Sequence, residues 1–419
     1  MTALQERLDV ALGRLRRAGT DLQDVEVKKA AGGLPQTAVD SVSAFANGDG
    51  GLIILGLDEA DGFRTVEVDA AKLASDLAAA CTEQLEPPIR PDIDIATVDG
   101  MQVVVAVIDG LPPERKPCYI KSRGMERGSY IRTHDGDRRL TTYEIHVLAS
   151  SQGQPLDDTA PVPGTTVGDL DADLVRSLTR RLRSTRGGVF AQATDEDILR
   201  LLGVEVGNKA DTSITLAGLL ALGRYPQQFF PQLDATFVAY PTESGEPLAD
   251  GTRFTDNQSI DGPIPTMVAE ALAAVRRNMK RRSVIVGLGR EDRWEYPEEA
   301  VREIVANALM HRDYHPLAHG AQVRIVLYPD RLEVTSPGGL FGPVAREDLG
   351  AEPVSSSRNA RLAKLLEDVE VSGTGRTVCE NRGSGLLAAA AALRAAGIEP
   401  PEVVDNVREF KIVIRNHGL

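Results

Sequence analysis

Apolar residues recur along this chain in two rhythms, and the changes between them mark its elements. Residues 2–18 repeat at helical spacing and predict an amphipathic helix. DVEVKKA then alternates, with Val25 and Val27 to one side and Glu26 and Lys28 to the other, as a strand does. Pro35 opens a helix ending near Asn47. GDGG turns sharply into the apolar strand LIILGL, with Asp58 just past its end. A helix spans about Asp69–Gln84, and IDIATV and MQVVVAVI form a hairpin about Asp99-Gly100. GSYIRT is strand-like, and a helix begins near Thr142. Ser150 to Asp169 has linker composition. Helices follow at 170–185, 194–202 and 214–222, then a strand LDATFVAY and a helix over Pro265–Lys280.

The pattern is most informative in YPEEAVREIVANALMHRDY, residues 296–314. Pro297, Glu298 and Glu299 suit a helix start, and Ala300, Val301, Ile304, Val305, Ala308 and Leu309 form one apolar stripe. Glu303, Asn307 and His311 follow one another at four-residue steps along a single flank. A solvated edge is one reading of such a flank. A magnesium–nucleotide site is the other, with the Asn307 amide oxygen as a hard ligand and Glu303 orienting the water that attacks a γ-phosphate. Beyond a polar loop, QVRIVLY and RLEVT alternate about Pro329-Asp330 as a hairpin closed by SPGGL. Residues 342–381 are rich in Gly, Ser and charge, with a helix near Arg358–Glu367. NRGSG then feeds an alanine-rich helix, so Arg382, Gly383 and Gly385 lie where free N–H groups make a phosphate cradle. REFKIVIRN is a last strand of the same sheet.

At 419 residues the chain is long enough for two or three domains. Cys81, Cys118 and Cys379 are widely spaced and form no CxxC pair, which argues against a disulfide framework or zinc site. With no signal peptide and no apolar run long enough for a bilayer, a cytoplasmic location and no membrane partner are expected. The net charge of −14 opposes a general coating of nucleic acid, yet Arg115 to Arg139 holds eight Lys/Arg against three acids. Within it Lys116, Lys121, Arg123, Arg127, Arg132, Arg138 and Arg139 are candidate phosphate contacts. A second run, Arg276, Arg277, Lys280, Arg281 and Arg282, contains no acid.

VEVKKA, AFANGDGGLIILGLDE and KPCYIKSRG…GSYIRTHDGDRRLTTYEI resemble, in that order, the Schlafen AlbA-type domain. The resemblance implies nucleic-acid binding. It also implies an alternative, a metal-dependent ribonuclease with Asp21, Glu26 and Asp58 as carboxylates and Lys28 beside them, Asp21 being shorter than the glutamate usual there.

ExxxNAxxHRDY resembles the N-box of the GHKL ATPases, closest to the branch labelled RecG-like. TLAGLLALGRYPQQFFP is similar to the segment preceding the ATPase in that branch; its helix is too apolar to read DNA. The resemblance implies ATP and Mg²⁺ as cofactors, Gly338 and Gly339 lining the nucleotide pocket, and 342–381 as a mobile lid. It singles out His311, Arg312 and Asp313 for nucleotide contact, with capping of the helix C-terminus an equal reading for His311. Thr335-Ser336-Pro337 lacks the adenine-binding aspartate of many relatives. No Walker A motif accompanies it.

The expected fold is α+β: an AlbA/Schlafen-like α/β module over 1–150, a linker over 151–169, a helical connector over 170–261, and a Bergerat-type α/β sandwich over 262–419. The expected protein is an ATP-binding, nucleic-acid-binding homodimer whose lid ordering changes how its two N-terminal modules are presented, regulating transcription or a stress or defence response, with at most slow hydrolysis by Glu303.

Overall fold

The computed structural model describes residues 3–20, 22–133, 136–150, 153–208, 211–286, 289–342, 349, 356–379 and 385–416. The chain divides into two compact units, residues 1–153 and 154–419.

The first unit is built on four strands. Helix α1 (Ala3–Ala18) precedes β1 (Val25–Lys28), α2 (Gln36–Asn47), β2 (Gly50–Leu55), α3 (Ala70–Glu83), β3 (Asp92–Val98) and β4 (Met101–Asp109). The sheet order is β1-β2-β4-β3, with β1 parallel to β2 and the other pairs antiparallel. Ile53 and Leu55 pack with Val104 and Ala106 against α2 and α3, while Leu52 and Ile54 pack with Val103 and Val105 against α1. Helices therefore cover both faces, which is why LIIL and VVVAV are uninterrupted apolar runs. A hairpin, β5 (Tyr130–Thr133) and β6 (Gly136–Arg139), lies against α2, and α4 (Thr142–Ser150) ends the unit. Only the first of these two strands is foreseen by the alternation.

The second unit opens with α5 (Ala172–Thr185), α6 (Asp195–Leu201), the hairpin β7 (Glu205–Asn208) and β8 (Asp211–Thr215), and α7 (Leu216–Leu222). Every residue of α7 is buried, as its apolar composition requires. There follow β9 (Ala235–Ala239), β10 (Asp256–Ile260), α8 (Ile264–Asn278), the hairpin β11 (Arg281–Val286) and β12 (Gly289–Trp294), and α9 (Glu298–His311). The chain continues with β13 (Val323–Leu327), β14 (Arg331–Pro337), α10 (Ala360–Leu366), α11 (Gly385–Ala395), β15 (Glu402–Asp405) and β16 (Glu409–Arg415).

Six strands form one sheet in the order β10-β9-β13-β14-β16-β15, so β9 and β10, which lie before residue 262, belong to the sandwich sheet. Phe237, Ile325, Val334 and Ile412 stand side by side across it and are all buried. The neighbouring row, Val238, Val326 and Glu333, is only partly covered. The alternation thus gives the sheet a single buried face, on which α8 and α9 pack, with α11 against α9. Burial of each such apolar side chain contributes about 1.5–3 kcal/mol.

Candidate functional site

The flank on α9 forms as the spacing predicts. Glu303 is 6% exposed, while Asn307 and His311 are partly covered. Asn307 Nδ2 donates to the Glu303 carbonyl at 2.6 Å, and among the described residues no donor is bonded to its Oδ1. Gly385, the first residue of α11, faces both side chains: a Cβ there would lie 3.0 Å from Asn307 Nδ2 and 3.0 Å from Glu303 Oε2. One amide oxygen, one carboxylate and one helix N-terminus thus converge. Glu303 Oε1 is held by Arg302 Nη2 at 2.5 Å, so the expected water-activating carboxylate is ion-paired.

A second cluster forms where α9 ends. Ser336 Oγ donates to the Ala308 carbonyl at 2.7 Å and the Asp313 amide to the Pro337 carbonyl at 2.8 Å, which ties the end of β14 to the end of the helix. Gly338 has φ +86°, and a Cβ there would lie 2.9 Å from Asp313 Cβ and 2.6 Å from Arg358 Nη1. Arg358 Nη2 donates to the Gly339 carbonyl at 2.8 Å, with Nη1 3.4 Å from Asp313 Oδ2. Asp313 Oδ1 accepts the His315 amide at 3.0 Å, and Oδ2 has no hydrogen-bond partner. The β14 end lacks a carboxylate in its own sequence, and Asp313 places one against Gly338 instead. Burial, with the charge of Arg358 adding, pushes the His311 imidazole down to about 4. A neutral ring is poorly suited to capping the helix by charge.

The loop after α9 and the described part of the expected lid are both packed. The HRDY loop is built around Arg312, which is 1% exposed and donates from Nη2 to the carbonyls of Ala318 at 3.2 Å and Ala321 at 2.6 Å. Tyr314 Oη donates to the Leu309 carbonyl at 2.7 Å. Arg312 is therefore a scaffold residue. In the expected lid, Leu362, Ala363, Leu365, Leu366, Val369, Val371 and Val378 are core. The Leu362 amide donates to Asp158 at 2.9 Å, Arg186 pairs with Asp368 at 2.7 Å, and Asn359 Nδ2 donates to the carbonyls of Met310 at 2.9 Å and of Arg312, just past α9, at 2.8 Å. Sequence reasoning passed over Arg358 and Asn359, whose only signal was two polar residues ahead of a short apolar helix. Arg382, Gly383 and most of 342–355 lie outside the described residues.

In the first unit, Glu26 stands beside Ile53 on the face covered by α2 and is 3% exposed. Lys28 pairs with its Oε1 and Arg132 with its Oε2. Arg132 also reaches Asp137 at 3.1 Å and the Leu22 carbonyl at 2.9 Å. Asp58 pairs instead with Lys29 at 2.6 Å, which holds its carboxyl below the usual range. Asp21 lies outside the described residues, and among those described no group of three or more His, Cys, Asp or Glu could hold a metal. Glu26 and Asp58 thus take different ion-pair partners: Lys28 and Arg132 hold the first, and Lys29 the second.

The basic run also separates. Arg123 binds Asp40 at 2.9 Å, Arg138 forks onto Glu144 at 2.6 and 2.8 Å, and Lys116 donates to the Gly48 carbonyl at 3.0 Å. With Arg132, these are internal braces. Lys121, Arg127 and Arg139 stay exposed, with Arg115 beside them in sequence. Spacing alone does not distinguish brace from contact, because the fold brings Asp40 to Arg123 and Glu26 to Arg132 from far along the chain.

A sandwich with one covered face, an Asn-bearing helix, Gly385 against the middle of that helix and Gly338 beside its C-terminal end define a histidine-kinase-type ATPase-like domain. It is preceded by an AlbA-type module. Residues 320–414 match the family described as "Putative ATP-dependent DNA helicase recG C-terminal" and residues 21–141 match "Schlafen, AlbA_2". The chain therefore joins a Schlafen AlbA-type domain to a RecG-C-terminal-type ATPase domain. Between them residues 146–235 match a domain of unknown function, DUF8451. The ATPase-type match begins after α9, so Glu303 and Asn307 lie outside it.

Among solved structures, the chain resembles the DIP2311 protein from Corynebacterium diphtheriae at 20% identity and TM-score 0.45, over 99% of this chain and 81% of that one. It also resembles the N-terminal domain of a RecG-related protein from Nitrosomonas europaea at 28% identity and TM-score 0.27, over 34% of this chain and 95% of that one. No curated protein matches. Among the described residues no helix is long and apolar enough to cross a membrane.

Proposed function

We propose that this chain is a nucleotide-responsive nucleic-acid-binding protein, in which Mg-ATP at the α9 site controls the AlbA-type module. The observation that carries this reading is the convergence of Asn307 and Glu303 on Gly385. Asn307 Oδ1 would ligate the magnesium, the amides at the start of α11 would take phosphate oxygens, and Gly338 would let backbone approach the nucleotide beside Asp313. Bound Mg-ATP supplies a polyanion with its cation and a phosphoanhydride bond. Glu303 orients water only after releasing Arg302, so binding is the main event and hydrolysis is slow. Lys121, Arg127 and Arg139 form the nucleic-acid contact, and the output is regulation of transcription or of a stress or defence response by a homodimer in the cytoplasm.

The test has two arms. Mg-ATP should raise the melting temperature of the wild type and not of Asn307→Ala, since a ligand bound only by the folded state must stabilise it. An equal rise in both proteins would remove the site. A non-hydrolysable ATP analogue should then change the affinity for labelled DNA or RNA; constant affinity at saturation would remove the control while leaving the site.

A further inference from the structure

The second basic run is not used by the nucleotide site or by the AlbA-type module. At the end of α8, Arg276, Arg277, Lys280 and Arg281 are all exposed within six residues. A helix C-terminus favours a cation, but the dipole acts only within its last turn. Among the described residues, two acids meet Arg276, Arg277 and Lys280. Glu298 lies 3.2 Å from Arg276, and the buried Glu295 lies 3.9 Å from Lys280. Arg277 donates to the neutral Gln258 amide at 3.1 Å, and Lys280 Nζ to the Pro329 carbonyl at 2.9 Å. Among the described residues, Arg276, Arg277 and Lys280 thus set three exposed cations against two carboxylates, in a chain whose net charge is −14.

An aromatic ring lies among them. Trp294, the chain's sole tryptophan, pairs with Arg281 across the β11–β12 hairpin and is partly exposed. The guanidinium carbons of Arg276 and Arg281 lie 5.1 and 5.5 Å from its ring centroid. Guanidinium groups bind phosphate by paired N–H donors, and a flat ring beside them offers a surface to an unstacked base. No large apolar side chain from 264 to 300 is highly exposed among the described residues, which leaves little for a lipid surface to take up.

We propose that Arg276, Arg277, Lys280 and Arg281, with Trp294, form a docking surface for single-stranded nucleic acid on the ATPase-type unit. It draws on none of the first unit's cations and needs no bound nucleotide, so it does not depend on the ATP reading.

Trp294 reports on its own surroundings, so a short oligothymidylate titrated into the full chain without ATP should quench its emission saturably. Each phosphate contact to a single strand adds about 0.7 to the slope of log affinity against log salt, so R276Q/R277Q/K280Q should lower that slope by about 2. Loss of base stacking in W294F should weaken binding about fivefold or more with the slope kept. Circular dichroism and the Mg-ATP melting shift should match wild type in both variants; the milder R277Q/K280Q, which removes cations hydrogen-bonded to neutral groups, should lower the slope by about 1.4 if the triple variant misfolds. Unchanged emission at saturating oligonucleotide, or a wild-type slope in a folded variant, would overturn the proposal. Tighter binding to a duplex of equal length or to anionic vesicles would overturn it as well.

Discussion

Gly385 stands directly against Asn307: a Cβ on that glycine would lie 3.0 Å from Asn307 Nδ2. Glycine is what allows the N-terminus of α11 to reach the amide on α9, and the candidate site depends on that approach. Both atoms within 3.0 Å are ends of side chains, one on Asn307 and one on Glu303, so they can yield.

Gly385→Ala should therefore fold, losing less than about 1 kcal/mol because the overpacking is small and alanine favours the helix. Its cost should fall on the ligand. The Mg-ATP increment in melting temperature should shrink or vanish, because the added methyl displaces the magnesium-binding amide. A full wild-type increment would show that phosphate does not sit there.

Gly338→Ala should behave in the opposite way. Its φ is +86°, and the new Cβ would meet Arg358 Nη1 at 2.6 Å and Asp313 Cβ at 2.9 Å, both on buried side chains. We expect a loss of about 3 kcal/mol in urea unfolding, from backbone strain and overpacking together. Gly373→Ala is the control: φ is +77° but nothing lies within 4 Å, so only the strain of about 1 kcal/mol applies.

Arg132 neutralises the buried Glu26 and Asp137 at once. Arg132→Ala should destabilise the protein by about 2 kcal/mol, because Asp137 loses its partner and the buried Glu26 keeps only Lys28. Glu26→Gln combined with it should recover part of that loss in denaturant titrations. Strictly additive losses would show that the pair does not interact.

His311 gives a pH signature. Burial first, and the Arg358 charge second, lower its pKa from 6.5 to about 4 in the folded chain. Between those values the unfolded chain binds a proton that the folded chain does not, so stability is full above 6.5 and falls as pH drops towards 4, by at most about 3 kcal/mol. His311→Gln should flatten the unfolding free energy across this window. A slope equal to wild type would place the titration elsewhere.

The fold was largely legible because it rests on local periodicity. The runs LIIL and VVVAV announced two strands, and the stripe on residues 300–309 announced α9 to within a few residues at either end. Less legible were strands that exist only by pairing. Residues 205–208, 256–260 and 402–405 carry little apolar alternation and become strands because β8, β9 and β16 offer them hydrogen-bonding edges.

The sequence by itself determined which residues could do chemistry: an amide and a carboxylate four apart on one helix, glycines ahead of another, and runs of cations. Only the tertiary structure decided their employment. Arg132 and Arg138 became braces because Glu26 and Glu144 reach them through the fold, whereas Arg127 and Arg139 remained on the surface. Residues 358–379, polar and glycine-containing in sequence, became packed structure because α7 and Asp158 wait to receive them. The reason is one of range. Periodicity records what a side chain needs within a few residues, but a charge is satisfied by whatever the folded chain brings within about 4 Å, at any distance along the sequence.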